Sequence, residues 1–226
     1  MAGRYPQPVR IVSVNVGQPA TLEFDGRSVT SAIVKAPVDG RVMVRRTNLD
    51  GDAQADLRVH GGADKAVYLY PAQHYAHWAA ELGRDLSPFG YFGENLTVEG
   101  ADEADARIGD IVRAGGALLE VSHPRVPCAK LAMRMRDHDF GEPFLASGRV
   151  GYYLRVLEEG EVEAGDQVEL VSPGTGGVSV RRIAWMLNEA TPEELDEAAA
   201  LPALALGWRQ RFAERAIAMR RRPMSA

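Results

Sequence analysis

Short runs of apolar residues, separated by tight turns, fill the first two-thirds of the chain. Val, Ile and Leu dominate these runs, and Gly, Pro or Asp bounds each of them, which is typical of β-strands. The runs cover 9–17, 28–38, 41–46, 66–70, 95–100 and 111–121. In the last run, Gly115-Gly116 predicts a hairpin turn in which both glycines adopt positive φ angles. GYYLRVLEEG and DQVELV predict a further pair of adjacent strands.

Two helices are predicted between these strands. The segment 71–83 has Pro71 near its start and Gly83 as its C-terminal stop, both of which favour a helix there. The segment 129–139 has the composition of a second helix. This second helix would place Cys128 at a helix N-terminus, where backbone N–H groups are unpaired and the dipole is positive.

The composition changes abruptly at SPGTGG, a stretch typical of a flexible linker. Every segment after it has a helical pattern, and Thr191 with Glu194 predicts a capping box at the start of one helix. We therefore expect a main domain over 1–172, a linker over 173–177 and a C-terminal extension of three helices over 178–226. Three short helices bury little surface alone, so we expect the extension to dock on the main domain.

The composition describes an ordinary globular protein and limits the classes of function. The 226 residues are 46% hydrophobic and 25% charged, and the net charge of −5 argues against general nucleic-acid binding. No apolar run reaches the roughly 20 residues that a membrane helix needs. The N-terminal stretch lacks the pattern of a signal peptide, so we expect a cytoplasmic location. A single cysteine excludes an internal disulfide and any multi-cysteine metal site in this chain.

Lysine is nearly absent from the chain. Only Lys35, Lys65 and Lys130 occur, whereas the remaining 23 of the 26 basic residues are arginines. Lysine offers a compact ammonium, whereas arginine offers a wide planar fork, and a site that needs the smaller cation cannot accept the exchange. A lysine that is retained against this bias is therefore a candidate for a site that needs the compact cation, with chance as the simple alternative.

The cysteine lies in the stretch SHPRVPCAKL, between prolines and basic residues. A lone cysteine is most often a small buried hydrophobic residue. The nearby Arg125 and Lys130, together with the expected helix N-terminus, would instead stabilise a reactive thiolate at Cys128. The residues around the cysteine leave both interpretations open.

Two further stretches carry candidate binding residues. Gly61-Gly62 allows close backbone approach and an anion-binding nest, while His60 and Lys65 beside it could neutralise a phosphate. The simple alternative is a glycine-rich hairpin turn with solvated charges. Asn95 offers both a donor and an acceptor for a heterocycle edge, with a plain Asx turn as its alternative.

Four histidines suggest other chemistry. His74 and His77 have the spacing of a metal pair on one helix face, although the Glu of an H-E-x-x-H motif is missing. His123 and His138 permit a Cys–His nucleophile with Cys128. The second arrangement is the basis for an alternative function, a hydrolase or transferase that needs no metal.

The order of several motifs resembles one known family. SAIVKAPV, LDGDAQADLRVHGGADKAVYLYP, GENLTVEG, GDIV, PRVPCAKL and SGRVGYYLRVLEEG occur in this order over nearly the whole chain. Together they resemble the MOSC family, and in particular its YiiM-type members, which carry a three-helix C-terminal extension. The resemblance implies a mainly β fold with α-helices: a MOSC-type β-barrel with flanking helices and a small C-terminal three-helix domain.

The resemblance also implies a cofactor and an activity. The cofactor would be a mononuclear molybdenum cofactor, Mo-molybdopterin, with Cys128 as the catalytic residue and the protein's ligand to molybdenum. Pyridoxal phosphate binding is a further property that the family resemblance allows. The activity would be reduction of N-hydroxylated compounds, such as 6-N-hydroxylaminopurine and amidoximes, in a detoxifying role. A cofactor carrier without turnover is the alternative that the same motifs would serve.

The cofactor-binding residues follow from the matched motifs. Lys35, Lys65 and the stretch His60-Gly61-Gly62 would bind the phosphate of the pterin, Asn95 would hydrogen-bond the cofactor, and Arg125 would stabilise the thiolate. The chain has no G-x-G-x-x-G segment and too few cysteines for an iron–sulfur cluster. We therefore expect an external electron donor, a flavoprotein or a ferredoxin-type reductase, besides a small-molecule substrate, and neither nucleic acid nor a membrane as partner.

Overall fold

The first two-thirds of the chain folds into β-strands, as the alternating pattern predicts. A computed structural model of the chain describes residues 7–53 and 61–221. The strands are β1 Val9–Val16, β2 Ala20–Phe24, β3 Arg27–Ser31, β4 Ala36–Pro37, β5 Val42–Val44, β6 Val67–Pro71, β7 Leu96–Glu99, β8 Ile111–Ala114, β9 Ala117–Pro124, β10 Tyr152–Glu158, β11 Gly160–Val162 and β12 Gln167–Ser172.

Seven of these strands close into a barrel. Their order is β12-β8-β9-β10-β6-β7-β1, and β1 pairs back with β12 to complete the ring. All neighbours in the ring are antiparallel except β6 and β7, which run parallel. β4 adds to the outer edge of β1, whereas β2–β3 and β5–β11 form separate two-stranded ribbons. The predicted barrel is therefore confirmed.

Alternation along the strands places one face of each in the barrel core. In β1 and β10 the buried positions recur at every second residue over most of their length, as a pleated strand requires. Ile11, Leu119 and Leu154 are fully or almost fully buried in this core. β6 is buried at all five positions because α-helical and loop segments cover its outer face.

Three helices flank the barrel and three follow it. Their bounds are α1 Gln73–Leu82, α2 Ala129–Met135, α3 Gly141–Ala146, α4 Val180–Trp185, α5 Pro192–Ala199 and α6 Leu206–Arg221. α1 ends at Gly83, which adopts the left-handed conformation with φ 61° as the sequence predicts. α2 begins directly after Cys128, whose extended backbone (φ −138°, ψ 166°) makes it the N-cap residue.

The C-terminal helices pack on the barrel through one continuous apolar core. Val180, Ile183, Leu195 and Phe212 are buried in the same cluster as the barrel residues. The predicted capping box is present at the start of α5, where the Thr191 hydroxyl accepts from the backbone N–H of Glu194 and the Glu194 carboxylate accepts from that of Thr191. The three helices are thus confirmed, while their status as a separate domain stays a prediction.

The structure corrects four of the predicted elements. The strands predicted from GYYLRVLEEG and DQVELV, β10 and β12, are not neighbours, because β10 pairs with β6 and β9 while β12 pairs with β8 and β1. Of the two hairpin glycines, only Gly115 has a positive φ, of 52°. The run 28–38 is broken between β3 and β4, and the helix predicted over 129–139 ends at Met135 because Arg136 turns left-handed.

Across the described residues, no helix combines the length and the apolar character that a membrane crossing requires.

The capping box allows a test of how much α5 contributes to the stability of the whole fold. Thr191→Ala removes the hydroxyl that accepts from an otherwise unpaired helix N–H, so we expect a loss of about 1 kcal/mol in the free energy of unfolding. For a chain of this size, the melting temperature should fall by roughly 2–4 °C. Thr175→Ala is the matched control, because Thr175 is exposed and its hydroxyl bonds no described residue. A melting temperature equal to that of the control would contradict the expectation.

Candidate functional site

A cleft of about 580 Å³ opens at one end of the barrel. We call it the cysteine cleft. The side chains that matter for its chemistry are Lys35, Asp52, Lys65, Tyr68, Asn95, Arg125, Cys128, Lys130 and Tyr153. The cleft thus brings together the single cysteine, all three lysines and the predicted residues Asn95 and Arg125.

The end of β9 and the start of α2 position the thiol of Cys128. The backbone carbonyl of Cys128 accepts from the N–H groups of Leu131 and Ala132, at 2.9 and 3.2 Å, and so begins the helix. The cysteine side chain makes no capping hydrogen bond and is only partly buried. The sulfur therefore remains available to the cleft, at the positive end of a short helix.

Arg125 is a buried cation that lines the cleft beside the thiol. Its side chain is 5% exposed, and its guanidinium lies 5.1 Å from the ring centre of Tyr68. Burial alone would lower the pKa of Arg125. Electrostatic interactions with Tyr68, Tyr153 and Cys128 outweigh this effect and raise the pKa above its ordinary value. The buried Nη1 atom has no hydrogen-bond partner among the described residues. A buried hydrogen-bond donor that lacks an acceptor destabilises the fold. An anionic or oxygen-rich ligand in the cleft would supply the acceptor that Nη1 lacks.

A buried ion pair forms another wall of the cleft. The Nζ atom of Lys35 contacts Oδ1 of Asp52, and the two side chains are 7% and 2% exposed. Asp52 also accepts from the backbone N–H of Gly17 at 2.8 Å and from Nδ2 of Asn95 at 2.9 Å. Burial lowers the pKa of Lys35, although Asp52 and Glu94 act in the opposite direction. These bonds fix the position of the Lys35 ammonium.

Both the oxygen and the nitrogen of the Asn95 side-chain amide form hydrogen bonds within the protein. Its Oδ1 accepts from the backbone N–H of Tyr68 at 3.1 Å, while its Nδ2 donates to Asp52 and to the carbonyl of Asn15. Asn95 lines the cleft, yet the polar atoms of its side chain are bonded within the protein. Its geometry supports a role in positioning Asp52, and direct contact with a ligand stays a prediction.

The fully buried Glu94 shapes the turn that presents Asn95. Its carboxylate accepts from the backbone N–H groups of Gly90 and Phe92 at 2.9 and 3.1 Å, and from the hydroxyl groups of Thr97 and Tyr75. Burial raises the pKa of Glu94, whereas the hydrogen bonds from Tyr75, Gly90 and Thr97 act in the opposite direction. The turn is therefore rigid, which keeps the adjoining wall of the cleft in place.

The cleft is positively charged in a chain that is acidic as a whole. Its described lining contains four cationic side chains, from Lys35, Lys65, Lys130 and Arg125, and one carboxylate, from Asp52. Burial lowers the pKa of Lys65, although the neighbouring Asp64 and Cys128 raise it. Lys130 forms no ion pair with a described residue. An excess of positive charge in a concave site attracts anions.

The remaining predicted residues lie near this cleft or outside the described chain. Gly61 and Gly62 line a neighbouring cleft that shares Lys65 with the cysteine cleft. His60 falls outside the described residues. His74 is buried and bonds Glu103 at 2.8 Å, so the histidine pair with His77 has a structural explanation rather than a metal. Within 7–53 and 61–221, no group of three or more metal-binding side chains is present.

The geometry does not favour a Cys–His nucleophile. His123 does not line the cysteine cleft; its Nδ1 contacts the hydroxyl of Ser122 at 2.9 Å, and its ring stacks on Tyr153. His138 is exposed and contacts Asp25 at 3.1 Å. Neither histidine hydrogen-bonds the thiol of Cys128 in the described structure.

Three residues of the cleft were missed by sequence reasoning. Asp52 could have been found, because a buried lysine such as Lys35 needs a counter-ion and GDAQ is a turn-like acidic stretch close to it. Tyr68 and Tyr153 could not have been found in this way. Each lies in an ordinary alternating strand pattern, and only the closure of the barrel brings both rings beside Arg125.

Comparison with known proteins agrees with this architecture. The family model described as MOSC domain matches residues 56–169. YflK of Bacillus subtilis (strain 168) is 47% identical over 171 residues, which span 76% of this chain and 77% of that protein. Protein YiiM of Escherichia coli (strain K12) is 41% identical over 160 residues, or 69% of this chain and 71% of that protein.

Two further matches extend this picture. A protein called Reductase from Gibberella moniliformis is 35% identical over 189 residues, which span 81% of this chain but only 33% of that longer protein. The crystal structure of YiiM from Geobacillus stearothermophilus superposes with a TM-score of 0.78 at 36% identity, over 92% of this chain and all of that one. The closed barrel, the matched family model and these relatives together establish that the chain belongs to the MOSC domain family.

Proposed function

We propose that the protein reduces the N–O bonds of N-hydroxylated compounds, with a molybdenum cofactor bound in the cysteine cleft. The observation that carries the proposal is the cleft itself, where the single cysteine lies among four cationic side chains in a MOSC domain. The substrates would be N-hydroxylated base analogues such as 6-N-hydroxylaminopurine, and amidoximes. The relative called Reductase supports a redox reaction, although its name describes a protein three times the length of the matched segment.

The residues of the cleft fit the proposed cofactor. A thiolate from Cys128 is the soft ligand that a sulfur-rich metal centre takes. Because no cluster of metal-binding side chains occurs in the described residues, a metal at Cys128 would bring its other ligands as part of the cofactor. The unpaired Nη1 of Arg125 and the ammonium groups of Lys35, Lys65 and Lys130 would bind its oxygen-rich and phosphate groups.

The chemistry of the reaction defines what the protein has to provide. Reduction of R–NH–OH consumes two electrons and two protons, breaks the N–O bond and releases R–NH₂ and water. The bound cofactor would supply the two-electron transfer. The protein would orient the substrate and provide protons through side chains that line the cleft. Tyr153 stays protonated, since burial raises the pKa of its phenol, and it can donate a hydrogen bond in the cleft.

The electrons would come from outside the chain. A single cysteine holds no iron–sulfur cluster, and the sequence carries no dinucleotide-binding fingerprint. A flavoprotein or a ferredoxin-type reductase is the class of partner that supplies single electrons to such a centre. A cofactor carrier without turnover is the second candidate, which the same cationic cleft supports and which the following tests separate from the first.

The role of Cys128 is tested by Cys128→Ser. A serine oxygen is harder and less easily ionised than a thiolate, so N–O reduction should fall to background while the fold persists. The melting temperature should change little, because Cys128 is only partly buried. Melting temperature, molybdenum content and reduction of an amidoxime should be measured on one preparation. Turnover near the wild-type rate in a folded variant would contradict the proposal.

The preference for lysine in the cleft is tested by two substitutions at Lys65. Lys65→Ala removes a cation from the cofactor's phosphate region and should reduce the molybdenum retained per chain. Lys65→Arg keeps the charge but replaces the compact ammonium with a wide guanidinium, so it should restore retention only in part. Wild-type molybdenum content in the alanine variant would remove Lys65 from the site.

The need for an external donor is tested with reduced nicotinamides. The purified protein with its cofactor should not reduce an amidoxime with NADH or NADPH alone, and it should do so with a chemical reductant such as reduced methyl viologen. Steady turnover with NADPH and the isolated chain would show that the chain has a donor site of its own. Cofactor content that persists without turnover under either reductant would instead favour the carrier.

A further inference from the structure

The β2–β3 ribbon stands apart from the barrel and beside the cysteine cleft. Among the described strands, its two strands pair only with each other. The chain that leaves the ribbon forms one wall of the cleft, at Ser31, Ala32 and Ile33. The ribbon also packs against α2, whose N-terminal end supplies Cys128 and Lys130 to the cleft. The ribbon therefore connects two walls of the candidate active site.

The base of the ribbon is held firmly. A Cβ atom at Gly17 would collide with the carbonyl oxygen of Val34, so the segments that enter and leave the ribbon are in close backbone contact. The N–H of Gly17 donates to Asp52 at 2.8 Å, and Lys35 forms the buried ion pair with the same carboxylate. Buried contacts of this kind resist local opening. The base is therefore a fixed point about which the ribbon can turn.

The strands of the ribbon bury little surface. Six of the ten residues in β2 and β3 are exposed. Leu22, Phe24 and Val29 alternate with these exposed residues, yet all three are only half-buried. Segments with few buried apolar contacts are the first to open in a folded protein. The position of the ribbon thus depends on the contacts at its tip.

Side chains at the tip of the ribbon contact the turn that follows α2. The ring of Phe24 lies 4.7 Å from that of His138, and the guanidinium of Arg136 lies 5.3 Å from the same phenyl ring. The carboxylate of Asp25 contacts Nε2 of His138 at 3.1 Å. Within the described residues, no other side chain of 20–30 forms a hydrogen bond or an ion pair outside the ribbon. We call these four residues the latch.

Both turns that meet at the latch have an unusual backbone conformation. Asp25 and Arg136 have φ angles of 49° and 52°, and in the described chain they are the two residues other than glycine with a positive φ. Asp25 precedes Gly26 in a two-residue hairpin turn, for which Asp-Gly is favoured. Arg136 ends α2 in the left-handed conformation, which favours glycine because a Cβ atom is unfavourable there. Arginine at this position places a guanidinium over Phe24, a contact that glycine could not make.

We propose that the β2–β3 ribbon is a lid of the cysteine cleft, which turns about its fixed base and is closed by the latch. With the latch formed, the ribbon stays against α2 and narrows the path to Cys128. With the latch broken, the ribbon moves away from α2 and admits larger molecules to the thiol. The side chains of Asp25 and His138 are 73% and 46% exposed, and exposed ion pairs contribute little stability. The lid therefore opens without loss of the barrel core.

The lid is tested through the accessibility of Cys128, which is the single thiol of the chain. Protein made without cofactor is labelled with iodoacetamide, a small reagent, and with fluorescein maleimide, a bulky one. Phe24→Ala removes the ring that Arg136 and His138 both contact. The maleimide rate should therefore rise about fivefold, the factor that corresponds to loss of an exposed cation–π contact. The iodoacetamide rate should stay nearly constant, and the ratio of the two rates cancels any change in the reactivity of the thiol itself.

Arg136→Gly separates the latch from a purely structural role. Glycine adopts the left-handed conformation without strain, so the melting temperature should not fall. The guanidinium is lost from Phe24, so the ratio of maleimide to iodoacetamide rates should still rise. A ratio equal to that of the wild type would show that Arg136 holds no lid.

Thr21→Ala is the matched control, because Thr21 is exposed on the same strand and lies outside the latch. Amide hydrogen exchange is measured on all variants. In Phe24→Ala the amides of β2 and β3 should exchange faster, while those of β9 and β10 keep their wild-type rates. Equal labelling ratios in Phe24→Ala and Thr21→Ala, or faster exchange spread evenly over the barrel, overturn the lid. Because neither measurement needs cofactor or turnover, the result is independent of the proposed reaction.

Discussion

The buried ion pair between Lys35 and Asp52 is the interaction on which the cysteine cleft depends. Moving two charges out of water costs several kcal/mol for each ion, and their mutual attraction offsets this only when further hydrogen bonds satisfy both groups. Gly17 and Asn95 supply those bonds to Asp52. Since Asn95 is itself held by the backbone of Tyr68, the pair connects the end of β1 to β6 and β7. A loop, a turn and three barrel strands are thereby fixed around one ammonium group.

Apart from the Lys35–Asp52 pair, the cationic side chains of the cysteine cleft are not matched by carboxylates in its described lining. The chain carries a net charge of −5, yet the described lining of the cysteine cleft has one carboxylate against four cations. Arg125 is stabilised by aromatic faces rather than by an acid, with Tyr68 at 5.1 Å and Phe144 at 5.9 Å. Aromatic faces stabilise a buried cation without neutralising it. The positive charge of the cleft therefore stays available to an anionic ligand.

The sequence directed attention to residues that share one cleft, but it did not predict which strands pair. The scarcity of lysine singled out Lys35, Lys65 and Lys130 as candidates, and the structure places all three along the same cleft. Composition can point to such residues because lysine and arginine differ in the chemistry of their side chains, and this difference does not depend on the fold. The pairing of β10 and β12 failed because alternation shows which face of a strand is buried but carries no information on its neighbour. The tyrosines beside Arg125 were missed for the same reason, since their contacts exist only after the barrel closes.

The position of Lys65 has a consequence for anion binding. Lys65 lines both the cysteine cleft and the neighbouring cleft that contains Gly61 and Gly62. An anion that neutralises Lys65 from the side of the cysteine cleft reduces the attraction felt by an anion in the neighbouring cleft. Linkage requires the effect to be reciprocal, so each occupant changes the affinity of the other by the same factor. A shared cation thus couples anion binding in the two clefts, so that an anion in one weakens the binding of an anion in the other.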